Sequence, residues 1–294
     1  SEAKNNKEII LLTADLGFSV FETFINELPH QYLNVGVAEQ NMTGVAAGLA
    51  MEGKIPIIYS IVPFVTMRNF EQIRNDLCYQ GLNVKIVGIG AGFSYGPYGH
   101  THHALEDIGI LRTLPNMTIL CPGDPVEVGL ATKALLRHDG PIYLRLGKAG
   151  EPVIHTQSRP TFKIGKGLVI SQGKGVTIIA TSTMVHRALE VSDALKMRNI
   201  SCGVISMISI KPIDTVLILQ TVKKTSALFT LEEHSIIGGL GSAVAEILAE
   251  TGTHTPFFRI GVADRFTKKM GPQEYMRQAN GLTTNQIVET IYKK

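Results

Sequence analysis

The run Val84-Lys85-Ile86-Val87-Gly88-Ile89 leads straight into Gly90-Ala91-Gly92-Phe93-Ser94-Tyr95-Gly96-Pro97-Tyr98-Gly99-His100-Thr101-His102-His103-Ala104-Leu105-Glu106-Asp107. Its first six residues are mostly Val and Ile with little alternation, which is how a strand buried on both faces of a parallel sheet reads. The glycines that follow mark a long loop, and loops at the carboxyl ends of parallel strands are where α/β proteins place their ligands. Similar runs lie at Glu8–Thr13, Ile55–Ile61, Met117–Cys121 and Pro141–Leu146, with helical stretches between them. Asn41–Ala50 carries Met42, Val45, Ala46 and Leu49 on one face, and Asp124–Arg137 opens with Asp124 as N-cap and Pro125 in the first turn. This alternation predicts a doubly wound α/β domain over residues 1–148. Glycines and prolines from Gly150 to Gly167 predict a linker across the surface at 149–168. Strand-like runs at Val176–Thr181, Cys202–Met207, Ala227–Leu231 and Pro256–Ile260 then alternate with helical patterns at Met184–Arg198, Gly241–Glu250 and Thr283–Lys293. Thr283 and Gln286 have capping-box spacing. A second, smaller α/β domain over 169–294 is therefore expected, with mostly parallel sheets in both.

Composition narrows the function. A chain of 294 residues with 44% hydrophobic residues can bury a sizeable core in about two domains. Only 18% of residues are charged, below the roughly 25% that is usual, which points to further surface buried in an oligomer. A net charge of +3 is too small to argue for nucleic acid or an anionic membrane. The three cysteines, Cys78, Cys121 and Cys202, form neither a disulfide framework nor a CxxC pattern, so a reducing cytoplasm is the expectation. The polar start, Ser1 to Glu8, lacks the apolar core of a signal peptide, and no apolar run approaches the roughly 20 residues of a membrane span.

Three stretches carry candidate chemistry. In Asn34-Val35-Gly36-Val37-Ala38-Glu39-Gln40-Asn41-Met42, Glu39 stands where a strand-like segment turns into a helix rich in small residues, which let a flat ligand approach closely. Taken alone, it also reads as an acid facing a helix dipole. In Tyr59 to Arg74 a strand ends at Pro63, and a helix presents Phe64, Met67 and Phe70, a stripe that by itself also describes core packing. In the glycine-rich loop, which holds His100, His102 and His103, His102 and His103 can shuttle protons or meet anionic oxygens. No further soft ligand or carboxylate spacing completes a metal site with them.

Together these pieces resemble the pyrimidine-binding domain of transketolase-type thiamine-diphosphate enzymes. The resemblance rests on Ala14-Asp15-Leu16, Gly36-Val37-Ala38-Glu39-Gln40-Asn41-Met42, Phe64 with Arg68 and Glu71-Gln72, Gly99-x-Thr101-His102, Thr113 to Thr118, and Asp139-Gly140-Pro141. Leu231-Glu232-Glu233-His234-Ser235, Gly238 to Ala243 and Gly261 to Phe266 resemble the family's C-terminal domain, so the match covers nearly the whole chain in order. It implies that Glu39 hydrogen-bonds N1′ of the cofactor's aminopyrimidine and so activates the thiazolium. It implies that Phe64 stacks on that ring, with Met67 and Arg68 beside it. It implies that His102 binds substrate oxygens, and that Asp15 lies near the cofactor at a subunit interface.

The family holds the diphosphate and Mg²⁺ with a Gly-Asp-Gly motif, which this sequence lacks; Gly123-Asp124-Pro125 is the nearest approach. The resemblance thus implies the C-terminal half of a split transketolase, active as a heterotetramer with a diphosphate-binding partner. The loop also departs from its relatives. Gly90 stands at a histidine position, Pro97 and Tyr98 at two acidic ones, His103 at a glutamine and Lys148 at a phosphate-binding arginine, with Arg145 nearby. A rebuilt sugar pocket lined by Tyr98, His100, His102, His103 and Lys148 is expected. Alternatives are an enzyme that decarboxylates a 2-oxo acid, as 1-deoxyxylulose-5-phosphate synthases do, and a degenerate regulatory or scaffold subunit.

Overall fold

The computed structural model describes residues 2–156 and 160–294. Ser1, the first residue of the expected polar start, and residues 157–159 of the expected linker lie outside the described residues. The first sheet contains β1 (Ile9–Thr13), β2 (Tyr32–Asn34), β3 (Ile55–Ile61), β4 (Lys85–Ile89), β5 (Thr118–Leu120) and β6 (Ile142–Leu146). The second contains β7 (Leu168–Ser171), β8 (Val176–Ala180), β9 (Cys202–Ser206), β11 (Ala227–Ser235) and β12 (Phe257–Val262). Between β9 and β11 runs β10 (Ser209–Lys211), which crosses back and closes the edge of the first sheet. The strand orders are β10-β5-β6-β4-β3-β1-β2 and β12-β11-β8-β9-β7. All pairings are parallel except the two edges, β10 on β5 and β7 on β9.

The buried runs form strands close to where their composition places them. The expected strand at Ala227–Leu231 is longer, because Glu232, Glu233 and His234 continue it while fully buried. Strands β2, β7 and β10 are not among the expected runs; each has four residues or fewer, and the apolar Leu168-Val169-Ile170 of β7 adjoins the stretch read as linker. The expected continuous helix after Pro63 is broken. Val62–Thr66 is α-helical, the chain turns at Met67–Asn69, and Phe70–Gln72 leads into a π-helical turn at Ile73–Cys78. The expected helix at Asn41–Ala50 starts two residues earlier, so Glu39 is its first residue. Asp124 does cap Pro125–Arg137, accepting from the Glu127 backbone at 2.7 Å, and Thr283 with Gln286 forms the capping box of Thr284–Tyr292. Short helices at Asp107–Arg112, Thr215–Val222 and Gln273–Ala279 add to those expected.

The two halves share one core. Leu12, Ile58 and Ile86 of the first sheet cluster with Ile205, Met207 and Leu240 of the second half. The connection between the halves is strapped down rather than free. Asp124 Oδ2 accepts from the backbone of Ile154 at 2.8 Å and His155 at 3.2 Å, and His155 Nε2 lies 3.0 Å from Glu127 Oε1. Phe162 and Ile164 pack onto the first sheet. No helix among the described residues is long and apolar enough to cross a membrane.

Candidate active site

Because β1 to β4 run parallel, their carboxyl ends bring Asp15, Glu39, Phe64 and the glycine-rich loop to one edge of the sheet. Asn34, the last residue of β2, organises the approach to Glu39. Its Oδ1 accepts from the backbone N–H of Asp15 at 2.9 Å and of Gly36 at 3.0 Å. Asp15 itself is exposed, with a left-handed backbone at φ 53°.

Glu39 is 2% exposed, and Arg68 closes over it. Arg68 Nη1 donates to Glu39 Oε2 at 2.7 Å, and the same guanidinium lies 4.5 Å from the centre of the Phe64 ring. The broken helix makes this geometry possible. Met67 caps Val62–Thr66, and Asn69 Nδ2 donates to Thr43 Oγ1 at 2.6 Å, tying the turn to the Glu39–Met51 helix. Gln40 Nε2 adds a bond to the Arg68 carbonyl at 3.0 Å.

From Phe64 an aromatic path leads outward. The His102 ring lies 5.2 Å from Phe64, edge on, and 5.2 Å from Tyr98. Burial lowers the His102 pKa, so the imidazole is neutral at pH 7. Thr101 Oγ1 lies 3.0 Å from its Nδ1. Tyr98 is exposed and 6.1 Å from Tyr95, and the Lys148 ammonium is 5.9 Å from the Tyr95 ring.

Two expected pocket residues stand apart. His103 is 4% exposed and turned inward, its ring against Phe93 and its Nε2 3.4 Å from the Gly96 carbonyl. Burial, foremost, lowers its pKa, and its Nδ1 is buried without a partner. Burial deepens along Thr101-His102-His103, from exposed to intermediate to buried, so the two neighbouring histidines face different surroundings. His100 is exposed and faces Phe266 at 6.3 Å. Arg145 is fully buried, bonded to Asp107 at 2.8 Å and to the Ala104 carbonyl at 2.7 Å, so it braces the end of the loop.

Sequence reasoning misses the second half's share in the loop. Glu233, buried at the end of β11, accepts from the Phe93 backbone N–H, from Gln273 Nε2 at 3.0 Å and from Arg277. Gly92 leaves no room for a side chain there, since a Cβ would lie 2.4 Å from the Glu233 carboxylate. The available signal is the charge of Glu232-Glu233-His234 inside an otherwise strand-like run. A cluster of Asp124, Glu127 and His155 has metal-type ligands within 4.8 Å of one another. However, its oxygens are already taken by backbone N–H groups, by His155 and by Ser206 Oγ, which describes a structural strap.

A buried carboxylate behind a half-exposed aromatic ring, at the carboxyl edge of a parallel sheet, marks an α/β protein with a candidate ligand site at that edge. Comparison with known proteins gives the family. The transketolase pyrimidine-binding domain matches residues 1–150 and the transketolase C-terminal domain matches residues 165–287. The chain belongs to the transketolase family, whose members depend on thiamine diphosphate. It is 39% identical over 293 residues to a putative transketolase C-terminal section of Methanocaldococcus jannaschii, covering 99% of this chain and 92% of that protein. It is 39% identical to a 6-deoxy-6-sulfo-D-fructose transketolase subunit of a Clostridium species, covering 99% and 90%. A solved split-gene transketolase, described as an inactive β4 tetramer, superposes with a TM-score of 0.88 at 39% identity, covering 99% of this chain and 93% of that one. 1-Deoxy-D-xylulose-5-phosphate synthases are less similar, and the chain spans only 46% of the one from Crocosphaera subtropica, at 36% identity.

Proposed function

We propose that this chain is the pyrimidine-binding subunit of a two-subunit transketolase that moves a two-carbon ketol unit between sugars. The observation that carries the site assignment is Arg68. Its planar guanidinium stacks on Phe64 while donating an N–H to Glu39. Those are the two contacts an aminopyrimidine makes with an aromatic platform and a carboxylate, so the residues fit that half of the cofactor. When bound, thiamine diphosphate supplies a thiazolium carbon as the nucleophile toward the ketose carbonyl.

The chain's own residues then have distinct tasks. Glu39, buried and paired with Arg68 through Oε2, is the carboxylate that would hold a proton at N1′ of the aminopyrimidine. Phe64 fixes the plane of the ring, with Met67 and Arg68 at its rim. His102, neutral and within reach of Phe64, hydrogen-bonds the substrate's hydroxyl or carbonyl oxygens. Tyr98 and Lys148 face the sugar, His100 stands at the outer rim against Phe266, and Asp15 lies near the cofactor at the contact with another subunit. His103 acts on the sugar only through the loop that it supports.

The diphosphate and Mg²⁺ need hard oxygen ligands. The one metal-type cluster among the described residues is saturated by its own hydrogen bonds, which supports a partner subunit as their holder. The assembly we propose is a heterotetramer with active sites at contacts between unlike subunits. Three buried free thiols suit a cytoplasmic location.

The test is Glu39→Gln in the assembled enzyme. We expect folding and assembly to persist while turnover falls at least ~100-fold, the range of a lost acid–base group. Turnover near that of the parent at saturating cofactor removes Glu39 from the mechanism.

A further inference from the structure

Arg68 stands where a ligand of this site needs open space. Its guanidinium lies 4.5 Å from the centre of the Phe64 ring, and its Nη1 donates to Glu39 Oε2 at 2.7 Å. One planar cation thus covers the aromatic platform and holds the buried carboxylate at the same time. A guanidinium suits both contacts, because it is flat, stacks on aromatic faces and presents its N–H groups in its own plane. A flat heterocycle that uses Phe64 and Glu39 has to take the same volume. The guanidinium and such a ring are therefore mutually exclusive.

The structure fixes the base of Arg68 and leaves its head held by those two contacts. Its backbone N–H donates to the Pro63 carbonyl at 3.3 Å, and its carbonyl accepts from Gln40 Nε2 at 3.0 Å. The next residue, Asn69, is pinned to Thr43 Oγ1 at 2.6 Å. Among the described residues the guanidinium has no hydrogen-bond partner besides Glu39, although it carries five N–H donors. Its side chain is 45% exposed, against 3% for that of Glu39. The head can turn out into solvent on a stationary stem, and Glu39 cannot follow it. A carboxylate buried without a partner is costly, so Arg68 stabilises the free chain by pairing with it.

Resting on the transketolase reading, we propose that Arg68 is a built-in stand-in for the aminopyrimidine. It closes the pyrimidine site of the cofactor-free chain, shields Glu39 there, and turns outward to the rim before the site is filled. The contact is autoinhibitory. Cofactor affinity then reports the difference between two occupants of one site.

The experiment uses the chain mixed with its diphosphate-binding partner. Calorimetric titration of thiamine diphosphate with Mg²⁺ is the first readout, and the melting temperature of the free chain is the second. Arg68→Met keeps the stem and removes the plane and the charge. It should tighten cofactor binding about fivefold, the combined effect of a half-exposed ion pair and a cation–π contact. It should also lower the melting temperature of the free chain, because Glu39 loses its partner. These opposite signs mark a competitor. A residue that only supports the fold would lower both affinity and stability, and one that contacts the cofactor would weaken binding. Arg68→Lys pairs with Glu39 but cannot stack flat, so it should fall between the parent and Arg68→Met in both readouts. If Arg68→Met fails to assemble, the lysine variant carries the test. Cofactor binding that is unchanged or weaker in the variants overturns the proposal while the transketolase reading stands. A parent complex that binds no thiamine diphosphate overturns both.

Discussion

Replacing Glu233 by glutamine removes the charge from a carboxylate that the two halves of the chain share. One oxygen accepts from Phe93 in the glycine-rich loop and from Gln273, and the other pairs with Arg277, whose side chain is 10% exposed. Glutamine keeps the shape. However, its amide turns an N–H₂ either on the Phe93 N–H or on the guanidinium, so a donor meets a donor where water is absent. Breaking one partner of a buried pair costs about 3–5 kcal/mol. Arg277 retains Glu274 and Thr183 Oγ1 at 3.1 Å, which places the loss near the lower end, at about 3 kcal/mol. At roughly 2–4 °C per kcal/mol for a chain of this size, the melting temperature should fall by about 6–12 °C. Far-UV circular dichroism suits the measurement, since the chain has no tryptophan. Limited chymotrypsin digestion gives the second readout, because a released loop opens the half-buried Tyr95 to cleavage. Glu232→Gln is the control. Its carboxylate accepts from the backbone of Leu240 and Gly241, both at 2.7 Å, so that variant should lose stability without releasing the loop. A melting temperature within about 2 °C of the parent and an unchanged digest would refute the role given to Glu233.

Two further outcomes are expected. Phe64→Ala removes the stacking platform, worth about 1–3 kcal/mol, so the assembled enzyme should bind thiamine diphosphate about tenfold or more weakly; an unchanged titration assigns Phe64 to packing alone. His155 has a raised pKa, first through its hydrogen bond to Glu127, so the stability it adds is complete below its unfolded pKa of about 6.5 and is lost as pH rises through the raised folded value. The gap in melting temperature between parent and His155→Gln should therefore be larger at pH 6 than at pH 9, and a gap that stays constant or widens with pH contradicts the strap.

Much of the fold is legible because buried parallel strands are unmistakable in composition, as Ile55–Ile61 shows by forming a strand with those bounds. The failures have local causes. Ser209–Lys211 is too short and polar to read as a strand, and it pairs with a sheet some 90 residues earlier in the chain, at Ile119 and Leu120. Glu232 and Glu233 lie beyond the strand-like run that ends at Leu231, yet both are buried in the strand, Glu232 accepting from the backbone of Leu240 and Gly241 and Glu233 from Phe93, Gln273 and Arg277. At the site, Glu39, Phe64, Arg68 and His102 are picked out by the family resemblance, since alone Glu39 reads as a helix-start acid and Phe64 as core packing; in the structure they lie along one path. Neither the inward turn of His103 nor the ring of Tyr95 over Gly90 is visible without coordinates, because both depend on how the loop folds against Gly271 and Glu233.

The central claim is that this chain holds the pyrimidine end of a cofactor whose diphosphate end belongs to another subunit. Calorimetric titration of thiamine diphosphate with Mg²⁺ into the chain alone, and then into its mixture with the diphosphate-binding subunit, tests it most directly. The expected result is weak or undetectable binding alone and tight, Mg²⁺-dependent binding in the mixture, weakened about tenfold or more by Phe64→Ala. Tight, Mg²⁺-dependent binding by the isolated chain would contradict it.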